Sequence, residues 1–341
     1  MRCGKNYETP SGPASRRSFL STAAAGVTAG LTMDSSPAAA SQSSSVHSVT
    51  LESGDLEVVI GDNSAADSHR AGYNGVWSLK HRLADRSLFV PGIAGLNLEH
   101  IINGTPIDSD ELFFEPRRSP MTLQPVSRTS VRLHQPATFA TGVESTTLFS
   151  LSAPNVLDMH FECVPRKSVF PHGYLSLFWA SYIHAPTDKS MYFLGNLADQ
   201  SPAWIQLCTQ FHNDQSTVKH RSDNYEATWD QDQREALFRN FSKLRFESPF
   251  FYGNFGELMW VMLFDSSEGI RLTHSPSGGG FDNSRRTSNP AWDFQFLIRN
   301  PKVNMTHGFA VRTILCPAID RNLLPDMANE WQQLTRNSVQ R

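Results

Sequence analysis

Apolar residues alternate with polar ones at a spacing of two along most of the chain. Leu56, Val58 and Ile60 alternate with Glu57 and Val59, and Val131 and Leu133 alternate with Arg132 and His134. Leu157, Met159, Phe161 and Cys163 alternate with Asp158, His160 and Glu162. Successive side chains of a strand point to opposite faces, so this period predicts strands with one buried face. Similar runs cover 257–264, 269–274, 292–298 and 309–315, each bounded by Gly, Pro, Asn or Ser. Short strands separated by turns predict an all-β fold, a large antiparallel β-sandwich with one or two short helices. One helix is expected over 325–336, where Met327, Trp331 and Leu334 fall at i, i+4 and i+7. A second is expected over 230–244, where Leu237, Phe241 and Leu244 share a face. Strand–helix–strand alternation and G-x-G-x-x-G are both missing, which argues against a nucleotide-binding α/β fold.

Residues 1–40 break the pattern. Arg16-Arg17 precede Phe19-Leu20, an uncharged stretch rich in Ala and Gly reaches Leu31, and Pro37-Ala-Ala-Ala40 follows. Basic, then apolar, then small is the order of a bacterial export signal, and the paired arginines are of the twin-arginine type. The apolar stretch is shorter than the roughly 20 residues needed to span a bilayer, so no stable membrane anchor is expected. The chain then divides into a signal (1–40), a Ser-rich linker (41–50), a β-sandwich domain (51–320) and a C-terminal helix packed on it (321–341). The expected location is periplasmic or extracellular.

Composition narrows the function classes. The chain has 341 residues, 18% charged and 11% aromatic, with a formal charge of -3. A charged fraction below the roughly 25% of average domains argues against disorder. Without a basic excess, nucleic-acid binding by bulk electrostatics is excluded. Loss of the leader removes four basic and two acidic residues, leaving 26 against 31 and a net charge of -5. Cys163, Cys208 and Cys316 remain, too few for a disulfide framework, and Cys163 reads as a small buried hydrophobe.

The window 169–188 is the richest in candidate chemistry. As a strand, one face carries Tyr174, Ser176, Phe178, Ala180, Tyr182 and His184, and the other Leu175, Leu177, Trp179, Ser181 and Ile183. Rings beside hydroxyls and an imidazole suit a sugar, whose C–H patches stack and whose hydroxyls hydrogen-bond. The same face equally suits a core strand whose Tyr and His are satisfied internally. Tyr182, Trp179 and Trp292 are the platform candidates, and the phase shared with His184 favours Tyr182 over Trp179. His172, His184 and His274 are candidate acids or bases, with Glu99 and Glu115 as carboxylate partners. Arg117 and Arg118 are placed to hold an acidic or sulfated sugar, or to form a surface ion-pair cluster. Asp158, His160 and Glu162 share a strand face, and His212, Asp214 and His220 add possible ligands. None forms a tight metal motif, so no metal or other cofactor is expected.

Read in order, several of these pieces resemble the galactose mutarotase-like supersandwich, the fold of aldose 1-epimerases. They are Gly54-Asp-Leu-Glu-Val-Val-Ile60, Gly75-Val-Trp-Ser-Leu-Lys-His81, Val131-Arg-Leu-His-Gln135, the run 156–164, Trp292-Asp-Phe-Gln-Phe296 and Phe309-Ala-Val-Arg-Thr313. The window 171–184 is similar in position to the family's His-x-Tyr-Phe segment, whose His acts as general acid. The resemblance covers about 50–320 and implies a supersandwich with a sugar ligand. Such epimerases also use a late Glu as general base. Here that region reads Arg312-Thr-Ile-Leu-Cys-Pro-Ala-Ile-Asp320, and Glu330 falls in the expected helix. Acid and base are therefore sought among His172, His184, His274, Glu99, Glu115 and Asp293. The expectation is an exported carbohydrate-active protein working by hydrolysis, elimination or epimerisation. The alternatives are a non-catalytic carbohydrate-binding accessory protein and a metal-dependent hydrolase. In its leading form, with a His as acid or base, the enzyme reading requires one of the three named His within about 7 Å of a named carboxylate in a cleft.

Overall fold

Each period-two run becomes a strand, and fifteen strands join in one sheet. From one edge the order is Asn97–Ile102, Tyr174–Ala180, Ala291–Arg299, Ile270–Ser275, Thr217–His220, Phe241–Phe246 and Met191–Leu197. It continues through Phe250–Phe255, Leu258–Phe264, His307–Pro317, Val156–Pro165, Val143–Ser152, Ser130–Gln135 and Thr122–Ser127. Ala203–Leu207 adds to Met191–Leu197 off this path. Every pairing is antiparallel except Thr217–His220 with Phe241–Phe246. A separate three-stranded sheet is made of Ser48–Ser53, Leu56–Gly61 and Gly75–His81. The computed structural model describes residues 46–106, 109–197, 200–231 and 237–339, so the expected export signal lies outside the described residues.

Aromatic side chains fold the large sheet onto itself. The Trp179 ring stacks on Phe294, their centroids 5.1 Å apart, and meets Phe161 of the opposite half edge-on at 4.7 Å. Phe294 also meets Phe264 and Phe309 edge-on, and Trp292 stacks over Trp260 at 6.1 Å. These contacts join residues distant in the sheet order, so the two halves face each other as the layers of a β-sandwich. The fold is all-β, as expected. Cys163 lies in the same core, where burial pushes its thiol up to about 12.

Three expectations are corrected. The first strand begins at Ser48, within the stretch read as linker. The C-terminal helix forms, spanning Leu324–Val339 with Leu324, Ala328 and Trp331 buried, whereas the helix expected over 230–244 falls partly on 232–236, outside the described residues, and is not α-helical where it is described. Leu237–Arg239 is a single 3₁₀ turn, and Phe241–Phe246 is a strand held between two neighbours. A short 3.6-residue period loses there to strand pairing. Third, Trp179 and Trp292 are core residues, 1% and 0% exposed, and neither offers a ring to a ligand. The helical turns Asp110–Phe113 and Glu115–Arg118 and the 3₁₀ turn Arg321–Leu323 complete the described helices. Among the described residues, no helix is long and apolar enough to cross a membrane.

His274 pairs with Trp292 across the strands and so shares its core-facing side. Its Nδ1 meets the Thr209 hydroxyl at 2.8 Å, and its Nε2 donates to the Lys189 carbonyl at 2.8 Å. His274 is therefore a structural imidazole, which corrects its candidacy as an acid or base. Burial holds it down to about 4 from an ordinary 6.5. The neutral ring stabilises the fold fully above pH 6.5, and that stability is lost as pH falls towards 4.

Two predictions follow from this core. Trp179→Ala lowers the unfolding free energy in urea by about 3–5 kcal/mol, the cost of truncating a buried ring. A loss under 1 kcal/mol would return Trp179 to the list of surface platforms. His274→Gln keeps hydrogen-bonding capacity but does not titrate. It flattens the acid limb of stability against pH between 6.5 and 4, removing about 3 kcal/mol of pH dependence. An unchanged limb would show that His274 is not buried neutral.

Candidate functional site

The outward face of the strands Asn97–Ile102, Tyr174–Ala180 and Ala291–Arg299 floors a cleft of about 220 Å³. Two departures from regular strand geometry arrange its charges. Leu98 pairs with Trp179 and His100 with Phe178, leaving Glu99 as the extra residue of a β-bulge. Strict alternation would place Glu99 and His100 on opposite faces; the bulge lets both line the cleft. Just before, Leu96 holds φ 47, and its N–H donates to the Ser181 hydroxyl at 3.0 Å. Ser181 in turn donates its own N–H to Asp293 Oδ1 at 2.9 Å. One serine thus joins the approach to Glu99 with the strand carrying Asp293.

The two cleft carboxyls occupy opposite environments. Glu99 accepts hydrogen bonds from the Tyr182 hydroxyl at 2.8 and 2.9 Å and from Arg117 Nη1 at 3.0 Å. Asp293 is 1% exposed and has no cation among its hydrogen-bond partners. Burial pushes its carboxyl well above the ordinary carboxylate range; the Ser181 N–H opposes this and the nearby Glu99 charge adds to it. Burial, reinforced by Glu99, likewise raises the Tyr182 phenol. The pair is a neutral acid beside an ion-paired carboxylate.

Histidines stand around this pair. His100 donates from Nδ1 to the Phe113 carbonyl, which turns its Nε2 towards Glu99, 3.9 Å away. His212 contacts the Ser275 hydroxyl through Nδ1 at 2.9 Å, and burial lowers its pKa against the pull of Glu99. Beside it Asn213, at φ 67, lines the cleft with a buried Oδ1 that lacks a hydrogen-bond partner. Phe113, Phe114, Phe178 and Phe238 supply apolar walls. Rings around a few convergent polar groups are what a sugar-sized ligand needs.

Of the residues singled out in the sequence, Glu99, Tyr182, Asp293 and His212 meet in this cleft, with Arg117 behind Glu99. The others lie elsewhere. His172 contacts Thr228 Oγ1 and Asp230 Oδ1, each at 3.0 Å, and so pins the segment over the sheet. His184 pairs with Asp282 Oδ2 at 3.1 Å, outside the cleft lining. Glu115 is buried and anchors a turn, accepting from the Ala140 and Thr141 N–H groups and the Thr141 hydroxyl. The expected pairing of His172, His184 or His274 with Glu99 or Glu115 is thus not what the structure builds. Arg118 is exposed, and Arg117 is already committed. It is paired with Glu99, donates to the Gly72 carbonyl at 2.9 Å, and lies over the rings of Tyr73 and Phe114. The two arginines do not form an oxyanion clamp.

Tyr73 and Phe238 were not singled out by their sequence context. Tyr73 ends an irregular loop, and Phe238 lies on the 3₁₀ turn that the weak helical period obscured. The Asp158 carboxylate is bound through both oxygens by Arg312 at 2.8 Å, which removes it from the possible metal ligands. Among the described residues no three His, Cys, Asp or Glu side chains converge as metal ligands.

No protein-family model matches the chain, and no curated protein matches it. Solved structures similar to it include a putative aldose 1-epimerase from Escherichia coli K12, at 9% identity and a TM-score of 0.48, covering 80% of this chain and 99% of that one. An aldose epimerase homologue from C. elegans has 9% identity and a TM-score of 0.45, with 80% and 99% covered. A galactose mutarotase-like protein from Lactobacillus casei has 9% identity and a TM-score of 0.42, with 79% and 99% covered. At these identities and scores, none assigns a role to a residue of this chain.

Proposed function

We propose that this protein is an exported enzyme that moves protons at the anomeric centre of a neutral sugar ring. The observation that carries the reading is the carboxyl pair in one aromatic-walled cleft, Glu99 held beside a cation and Asp293 buried without one. Burial raises the Asp293 carboxyl well above the ordinary range while Glu99 lies in an ion pair, and such unlike surroundings divide two carboxyls into an acid and a base. Asp293 donates its proton to the ring or glycosidic oxygen, while Glu99 accepts one from a hydroxyl or water. Arg117 is engaged in an ion pair with Glu99 and orients it rather than binding substrate, so the site favours a neutral sugar over an acidic one. The cleft, at about 220 Å³, is smaller than the roughly 300–1,000 Å³ of drug-sized sites, which fits a single ring. Export rests on the twin-arginine-type leader in the sequence.

A second reading is a non-catalytic sugar-binding protein. It is favoured by the hydrogen bonding of His172, His184 and His274, none of which pairs with a cleft carboxylate.

The test is a panel of neutral mono- and oligosaccharides, followed for reducing ends and for anomer ratio. Asp293→Asn and Glu99→Gln each lower kcat/KM by about 10²–10⁴, the usual contribution of a positioned acid or base. Asp293 works protonated, so the rate falls as pH rises through its elevated pKa, and Asp293→Asn lacks that alkaline limb. Sugar binding without turnover at any pH would select the binding protein instead.

A further inference from the structure

A second pocket adjoins the cleft and no role in proton transfer falls to it. Its volume is about 410 Å³, and Arg70, His184, Phe281 and Asp282 are among its walls. The chain 276–289 forms one side as an arm, turning back through the pairing of Phe281 with Ser288 and Asp282 with Thr287. The arm is pinned along its length. Gly279 N–H donates to the Asn289 carbonyl at 3.0 Å, Asn289 N–H returns to the Gly280 carbonyl at 2.8 Å, and Lys189 Nζ reaches Ser288 Oγ at 2.8 Å. At its far end Asp282 accepts from the Ser284 hydroxyl and the Arg285 N–H, which draw its carboxyl down to about 2, and His184 lies on its other oxygen.

The two cavities share this arm as a wall. Gly278 lines the inner cleft, while Gly279 and Gly280 line the outer pocket. The arm lies flat on the strand ends. A Cβ at Gly278 would stand 2.8 Å from the Ala291 Cβ, and one at Gly279 would stand 2.8 Å from the Asn289 Cβ. The same Gly279 position is 3.3 Å from the Cβ of Tyr182, whose hydroxyl holds Glu99. Glycine is therefore required for close packing here, and the linings of the two pockets meet at consecutive residues of the arm, Gly278 and Gly279. Ile93, another wall of the outer pocket, packs in the same small apolar cluster as Tyr182.

Phe281 stands at the outer rim with 61% of its surface exposed, an apolar ring held on a rigid arm beside polar groups. A pyranose presents the matching chemistry, a C–H face for the ring and hydroxyls for Arg70, His184 and Asp282. We infer that the outer pocket is a second sugar subsite, so that the substrate is a glycan of at least two units whose terminal ring enters the inner cleft. This rests on the proposed sugar chemistry of the cleft and adds the length and direction of the substrate. The inner cleft takes one ring, the neighbouring unit crosses the glycine wall, and that unit stacks on Phe281.

The experiment measures dissociation constants by calorimetry for gluco-, galacto-, manno- and xylo-saccharides of one to four units each. The wild-type protein binds one series at least tenfold more tightly as the disaccharide than as the monosaccharide. Phe281→Ala abolishes that increment and leaves monosaccharide affinity unchanged, while Phe281→Trp restores it. Because Phe281 is exposed, the variants keep the wild-type thermal transition, which is checked alongside. Monosaccharide binding with no gain on lengthening in any series would overturn the outer subsite and leave the cleft chemistry standing. A length increment that Phe281→Ala leaves intact would also overturn it. Binding of no saccharide at all would overturn both.

Discussion

The architecture depends on the contact between the two halves of one long sheet, made largely by aromatic edges. Trp179 between Phe294 and Phe161, and Trp292 over Trp260, bury large rings without polar atoms that need unusual partners. The Trp292 indole N–H still donates to the Lys189 carbonyl at 2.9 Å, so even this ring is satisfied. Because these residues point inward, their strand neighbours must point outward, and Tyr182, Phe178 and Asp293 are among them. The cleft is the outer side of the core's own alternation. Its precision is inherited from packing that has no part in ligand binding.

That dependence explains what could be read from the sequence. The strands were legible because alternation over 156–165 or 291–299 is a local property, visible within ten residues. The inward and outward faces of 174–184 were legible for the same reason, and the phase argument for Tyr182 over Trp179 agrees with the structure. The convergence of Glu99 with Asp293 was not legible, because strands far apart in sequence become neighbours only through the sheet order. Nor does a β-bulge leave a signature in the Leu96-Asn-Leu-Glu-His100 run. The histidines misled for a physical reason. An imidazole hydrogen-bonds as readily to a structural carbonyl or hydroxyl as to a substrate, and His274 and His172 do the former.

Charge in the site is arranged inside out. The guanidinium that a sequence reading would offer to a ligand is enclosed by Tyr73, Phe114 and Glu99, and it serves the protein's own carboxylate. Further along the same sheet, Arg271 and Lys219 are both 1% exposed and point into the segment above them. Arg271 binds Asp223 at 2.8 Å, and Lys219 donates to the Tyr225 carbonyl at 2.9 Å. Removing one partner of such a pair leaves an uncompensated buried charge, so these cations tie the roof to the floor.

The bulge at Glu99 has a consequence of a different kind. A side chain placed by packing depends on the identity of its neighbours, and conservative changes around it are absorbed. A side chain placed by a bulge depends on how many residues lie between two fixed pairings, here Leu98 with Trp179 and His100 with Phe178. The Glu99 carboxylate therefore owes its position to a count rather than to a composition. Substitution at either side preserves it, whereas loss of one residue restores strict alternation and breaks the site while leaving the sheet in register.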